Sequence, residues 1–280
     1  MDTAFITDCG KIRDHNEDSG GVFSHHSGLL LAVVADGMGG HRAGDVASSL
    51  VLNYLKEHWE KADGLGSAQA AREWLKQTID EANEYVLSYA LEHPECRGMG
   101  TTVVAALCAS DFLVIAHVGD SRGYMLGKER FVQVTRDHSL VSELVRQGEI
   151  SEEEAAIHPR KHVLLKALGT EKKVETETDT FEWKAGDMVL LCSDGLTNNV
   201  TDEQMEEVLR SGETMQEKAE SLTALANSAG GDDNITLSLV RLTGEDLLAN
   251  EPSRRTDTVR VPDVEGRQNP RKPSSAEESR

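Results

Sequence analysis

Residues Leu29 to Ser48 read LLLAVVADGMGGHRAGDVAS. The apolar run Leu29–Ala35 predicts a buried strand. It stops at Asp36-Gly37, Met38-Gly39-Gly40 turns the chain, and a helical pattern starts at Ala43. A carboxylate at the end of a stiff strand, followed by glycines that let backbone carbonyls face a ligand, suits a cation. Alone it is most often a turn, so its meaning depends on what else the chain brings to the same rim.

A chain of 280 residues is long enough for a sizeable core. Its 38% hydrophobic and 28% charged content describe an ordinary globular protein. The first residues, MDTAFITDCGKIRDHNED, hold no apolar signal core, and no apolar run reaches the length of a membrane span. Cys9, Cys96, Cys108 and Cys192 are scattered without a CxxC pair, which fits a reducing cytoplasm. Net charge is −20, and residues 250–280 carry six acids against seven bases, so the acidity belongs to the folded body. Such a field repels nucleic-acid backbones. It also repels phosphorylated substrates at long range unless cations reverse the sign locally.

Outward from the opening stretch, residues 1–27 predict two short strands around the polar loop KIRDHNED (11–18), as a solvated hairpin. Val46, Ala47, Leu50, Val51, Tyr54 and Leu55 form one helical stripe, and Ala71, Leu75, Ile79, Ala82, Val86 and Tyr89 a second. Trp59 and Trp74 fall in these helices as packing residues. Four close-set runs (101–107, 112–118, 123–126 and 131–135) predict an antiparallel meander. A helical and loop insertion follows at about 138–169, with an acidic helix start at Ser151. Strands return near 178–183 and 187–192, helices near 202–211 and 214–228, and a last strand over 235–242. Four prolines beyond Thr243 predict a disordered tail, 243–280. One domain plus a tail is the expected organisation.

Asp36, Asp120 and Asp194 each lie just past an apolar strand, and Asp233 just precedes one. If that last strand runs antiparallel to the others, four carboxylates share one sheet edge. Like charges at that range call for cations. Oxygen-only donors favour Mg²⁺ or Mn²⁺ over zinc. A carboxylate bridging two such ions would make a binuclear hydrolytic site.

The ordered motifs RDHNED (13–18), DGMGGH (36–41), GMGTT (98–102), GDSR (119–122), SDGL (193–196) and GGDDN (230–234) closely resemble the protein phosphatase 2C family, most strongly its bacterial members. The resemblance spans residues 1–242 and implies an α+β fold, two stacked antiparallel sheets flanked by helix pairs in a four-layer αββα sandwich. It implies a metal-dependent phosphoserine/phosphothreonine protein phosphatase, with two Mn²⁺ or Mg²⁺ per subunit and a third, weaker site. Asp36 would bridge the two ions, the Gly37 carbonyl would bind one, and Asp194 and Asp233 the other. Asp120 would serve the third site. Glu17 and Asp18 would orient metal-bound water. Arg13 would grip the phosphate. Hydrolysis would proceed by direct attack of a metal-bridging hydroxide, without a phosphoenzyme. Met38 stands where animal members place a histidine, which makes His41 the candidate proton donor. The partners implied are phosphoproteins and a Ser/Thr kinase that the enzyme opposes. A cytoplasmic monomer without nucleic-acid partners is expected.

Three other readings compete. Gly119-Asp120-Ser121-Arg122-Gly123 formally matches a nucleophile elbow, which would make Ser121 an esterase nucleophile. The elbow needs a strand-to-helix turn, and Tyr124-Met125-Leu126 reads as strand. Cys192 lacks the phosphate loop of a thiol phosphatase and reads as a buried strand residue. A catalytically silent regulatory module of the same fold would have lost metal carboxylates, and all of them are present.

Overall fold

The computed structural model describes residues 1–39 and 43–249. The run after Leu29 becomes β3 (Leu30–Met38), and every residue from Leu30 to Ala35 is buried. An apolar run without alternation means that both faces are covered. Leu30, Ala32 and Val34 point into a core between two sheets, while Leu31 and Val33 point into a core beneath helices. That division defines the layers.

One sheet holds β2 (Asp18–Ser24), β3, β5 (Val103–Cys108), β6 (Leu113–Val118) and β9 (Glu177–Phe181), in that order. The short β4 (Gly100–Thr101) pairs with the end of β3. The other sheet runs β1 (Asp2–Asp8), β11 (Ile235–Arg241), β10 (Met188–Cys192), β7 (Arg122–Leu126) and β8 (Phe131–Gln133). All the ladders are antiparallel.

Helices α1 (Ala43–Trp59) and α2 (Ala68–Glu92) cover the first sheet through Val51, Leu55, Leu75 and Ile79. The two tryptophans pack together there, ring centroids 5.5 Å apart. The insertion supplies α3 (Leu140–Arg146) and α4 (Glu152–Ala156), neither with a buried residue. Ser151 caps α4 in a reciprocal box with Glu154. After the one-turn α5 (Asp194–Thr197), helices α6 (Asp202–Arg210) and α7 (Met215–Ala229) cover the second sheet through Met205, Leu209, Leu222 and Ala226. The four-layer αββα sandwich is the expected fold.

Four expectations are corrected. β1 and β2 are not a hairpin: β1 pairs with β11 and β2 with β3, in different sheets. The loop 9–17 therefore bridges the sandwich. The four-strand meander is likewise split. β5 and β6 pair in one sheet, β7 and β8 in the other, and the chain crosses at Gly119-Asp120-Ser121. Gly119 takes φ +106° there, and a Cβ on it would lie 2.6 Å from Thr102. The carboxylates share one end of the sandwich rather than one sheet edge, because Asp36 belongs to the first sheet and Asp194 follows a strand of the second. Strand spacing is the same for a hairpin and a sheet crossing, so periodicity cannot separate them. Finally, the chain beyond Thr243 forms α8 (Gly244–Ala249), with Asp246 bound to the N-terminal amine at 2.6 Å. The rest of the expected tail, 250–280, lies outside the described residues.

Candidate active site

Asp36 is fixed through its backbone. Its N–H donates to Thr102 Oγ1 (2.9 Å), and its carbonyl accepts from Thr101 Oγ1 (2.9 Å) and the Thr102 amide (2.8 Å). The Gly37 amide donates to the Glu17 carbonyl at 3.1 Å. A Cβ at Gly37 would stand 2.0 Å from the Gly44 carbonyl oxygen, so only glycine lets α1 close on this turn. Asp18 lies opposite Asp36 in the β2–β3 ladder.

The second sheet meets this pair from the other side. Ser193 Oγ donates to Asp18 Oδ2 (2.7 Å) and accepts from the Thr236 amide (3.0 Å). Asp194 opens α5, where Asn198 Nδ2, one turn later, donates to its Oδ2 at 3.0 Å. Arg13 Nη2 donates to Asp233 Oδ2 at 2.8 Å. Buried Asn234 holds the bridging loop. Its Nδ2 donates to the Cys9 and His15 carbonyls (2.9 Å each), and its Oδ1 accepts from the Glu17 amide (2.8 Å).

These elements enclose a cleft of about 570 Å³ lined by Arg13, Glu17, Asp36, Gly37, Asp120, Asp194 and Asp233, among others. Asp18 sits beneath it, buried. Every expected site residue among those described therefore converges. His41 lies outside the described residues.

Burial raises the Asp18 carboxyl to about 7, reinforced by Asp194 and Asp233 and opposed by the Ser193 hydrogen bond. Burial raises Asp120 to about 7, with Asp194 and Asp137 adding to it. Asp36 is pushed well up by burial and by Asp18, Asp194 and Asp120. Asp194 moves up through burial and Asp233. Glu17 rises through burial, which Arg13 partly offsets. Asp18 Oδ1 and Asp194 Oδ1 are buried with no hydrogen-bond partner. Ionised carboxylate oxygens only accept, so such orphans need a cation or a proton. An oxygen-only set of this charge fits hard divalent ions.

The Protein phosphatase 2C family model matches residues 11–229. The chain belongs to the protein phosphatase 2C family. Its activity is metal-dependent dephosphorylation of serine and threonine in proteins. Serine/threonine phosphatase stp of Listeria monocytogenes is 51% identical over 240 residues, covering 86% of this 2C phosphatase and 95% of that protein. The crystal structure of Stp1 from Staphylococcus aureus superposes with a TM-score of 0.82 at 40% identity, covering 86% of this chain and 95% of that one. The catalytic domain of PstP, solved in complex with 2 manganese ions, gives a TM-score of 0.74 at 38% identity, covering 85% and 96%.

The rival nucleophiles fit this 2C phosphatase poorly. Ser121 is 1% exposed, bonds Thr102 Oγ1 at 2.6 Å, and is followed by β7 rather than a helix. Cys192 is fully buried in β10, and burial pushes its thiol up to about 12. Sequence reasoning passed over Thr102, Ser193, Asn198 and Asn234. Three of them stand inside the quoted motifs, and Asn198 follows Asp194 by one helical turn. It also passed over Lys161 and His162, residues of the insertion that line the cleft.

Proposed function

We propose that this 2C phosphatase hydrolyses phosphoserine and phosphothreonine by direct attack of water on phosphorus, without a covalent intermediate, and that it opposes a Ser/Thr kinase. The observation that carries the reading is the convergence of Asp36, Asp120, Asp194 and Asp233 from two sheets, with orphaned buried oxygens among their group. Asp36, the Gly37 carbonyl, Asp194 and Asp233 would hold two Mn²⁺ or Mg²⁺ ions, and Asp120 a third, weaker one. Bound there, such ions supply a water of low pKa and neutralise phosphoryl charge.

The chain's own groups do the rest. Arg13, half exposed and already aimed at Asp233, binds phosphoryl oxygens in its planar fork. Asp18 and Glu17 accept hydrogen bonds from the attacking water and orient it. His41 is the proposed donor to the departing serine or threonine oxygen. The −20 charge is offset locally at the mouth, where Arg13 and Lys161 stand.

Among the described residues no helix is long and apolar enough to cross a membrane. We place the enzyme in the cytoplasm, on the strength of its four free cysteines, and take it to act as a monomer. The test is hydrolysis of a phosphothreonine peptide with Mn²⁺, with EDTA, and by Asp194→Asn in Mn²⁺. Turnover should require metal and collapse in the variant. Metal-independent turnover would overturn the reading.

A further inference from the structure

Outside the catalytic residues, His117, His138 and Glu177 bring two ring nitrogens and a carboxylate oxygen within 4.8 Å of one another. Two imidazoles and a carboxylate invite a transition-metal reading, and the hydrogen bonds argue against it. The Gly119 amide donates to His138 Nδ1 at 3.1 Å. That nitrogen therefore carries a lone pair already in use, and the proton of the neutral ring sits on Nε2. Burial lowers the pKa of both histidines, which keeps the rings neutral. In that tautomer His138 has no nitrogen left for a metal. His117 Nε2 donates to the Arg136 carbonyl at 2.9 Å. Glu177 is flanked by Arg136 at 3.4 Å and Lys166 at 3.6 Å, so its charge is already met.

The same contacts describe a clamp. His138 holds Gly119 twice: its ring accepts the Gly119 N–H, and its own N–H donates to the Gly119 carbonyl at 2.9 Å. Glu177, which faces His117 across the β6–β9 ladder, places Oε1 2.9 Å from His138 Nε2. That contact is close but poorly aligned, and Nε2 forms no regular hydrogen bond. The His117 ring lies against the His138 ring, centroids 4.9 Å apart and planes 14° from parallel. The next residue after Gly119 is Asp120, whose side chain enters the cleft. On its other side, the His138 carbonyl accepts the Leu165 amide at 2.7 Å, and Ser139 bridges Leu164. Leu164 lines the cleft with Lys161 and His162.

We propose that His138 is a positioning residue for Asp120, its ring holding the Gly119 amide while its backbone holds the returning insertion segment at Leu164–Leu165. Asp120 and the cleft wall that carries Lys161 and His162 are thereby set together. The proposal rests on the reading of Asp120 as a working residue of the cleft. His138→Gln puts its amide near the former Nε2 and leaves the Gly119 amide unpaired. His138→Asn puts a carbonyl oxygen near the former Nδ1 and keeps that bond.

The experiment uses the full chain with Mn²⁺ and a phosphothreonine peptide. His138→Gln should lower kcat/KM at least about tenfold, and His138→Asn by no more than about threefold. In an Asp120→Asn background the effect of His138→Gln should shrink below about twofold, because its target is gone. Equal losses for Asn and Gln, no loss for Gln, or a Gln loss that persists without Asp120 would each overturn the proposal. Asp120→Asn with full activity on its own would overturn the reading of Asp120 and the proposal with it, a failure recognisable because His138 is untouched. Nitrogen NMR of the wild-type ring supplies a readout independent of variant folding and of activity. Unprotonated Nδ1 with protonated Nε2 is expected, and the reverse tautomer would overturn the clamp.

Discussion

Ser193 Oγ, at the end of β10, donates to Asp18 Oδ2 at the start of β2 across 2.7 Å, with 175 residues of chain between them. This bond joins the rims of the two sheets, and the acidic cleft opens beside it. Asp18 also faces Asp36 in its own ladder. The carboxylates are therefore held by a frame that the protein's own hydrogen bonds tie together.

That frame has a cost in the absence of metal. Asp18 and Asp120 titrate near 7 in the folded state, and Asp36 and Asp194 are also raised. Unfolded, each would titrate near about 4. The folded state then holds extra protons, so the stability these groups contribute is complete below about pH 4 and is lost as pH rises through about 7. With EDTA present, the unfolding midpoint should fall between about pH 5 and about pH 7.5, by on the order of 5 °C. Asp18→Asn should flatten that fall. Saturating Mn²⁺ at the upper pH should reverse it. Scanning calorimetry across pH is the measurement, and a midpoint that climbs over this range would contradict the account.

Arg13→Ala should raise KM for a phosphothreonine peptide by about 10- to 100-fold, the size of a lost charge-assisted hydrogen-bond pair. Arg13→Lys should recover only part of the loss, because an ammonium lacks the planar fork. Steady-state kinetics would show this. An unchanged KM would remove Arg13 from phosphate binding.

Asn234→Ala removes two donors to the Cys9 and His15 carbonyls and the acceptor for the Glu17 amide, all inside the molecule. Unfolding experiments should show a loss of about 2–3 kcal/mol. Limited proteolysis should find new cleavage within residues 9–17. An uncut loop at wild-type stability would contradict its role as the anchor.

Ser121→Ala should keep kcat within about twofold and cost about 1 kcal/mol of stability, through loss of the Thr102 contact. Peptide hydrolysis and urea unfolding measure the two quantities. A collapse of turnover with intact folding would revive the esterase reading.

The cleft carboxylates were legible because each borders an apolar strand, and strand ends at one end of a sandwich converge whichever sheet they belong to. Asp36, Asp120, Asp194 and Asp233 meet for that reason. Which sheet each strand joins was not legible. Strand periodicity reports burial on each face, and β3 and β6 are buried on both, so the meander and the N-terminal hairpin were misassigned. The supporting hydroxyls and amides escaped notice for a related reason. Ser193, Thr102 and Asn234 act on residues 66 to more than 200 positions away, and nothing local marks a serine or asparagine as a long-range clamp. Nothing in the sequence marks His138 as more than the start of the insertion, although its contacts tie that insertion to Gly119, the residue before Asp120.

The central claim is that carboxylates from both sheets jointly hold the ions that make the cleft catalytic. Isothermal titration of the metal-free protein with Mn²⁺ tests it most directly, comparing wild type with Asp36→Asn from the first sheet and Asp194→Asn from the second. The account predicts two tight equivalents in the wild type, with tight binding lost or reduced to one equivalent in each variant. Two undiminished equivalents in either variant would contradict it.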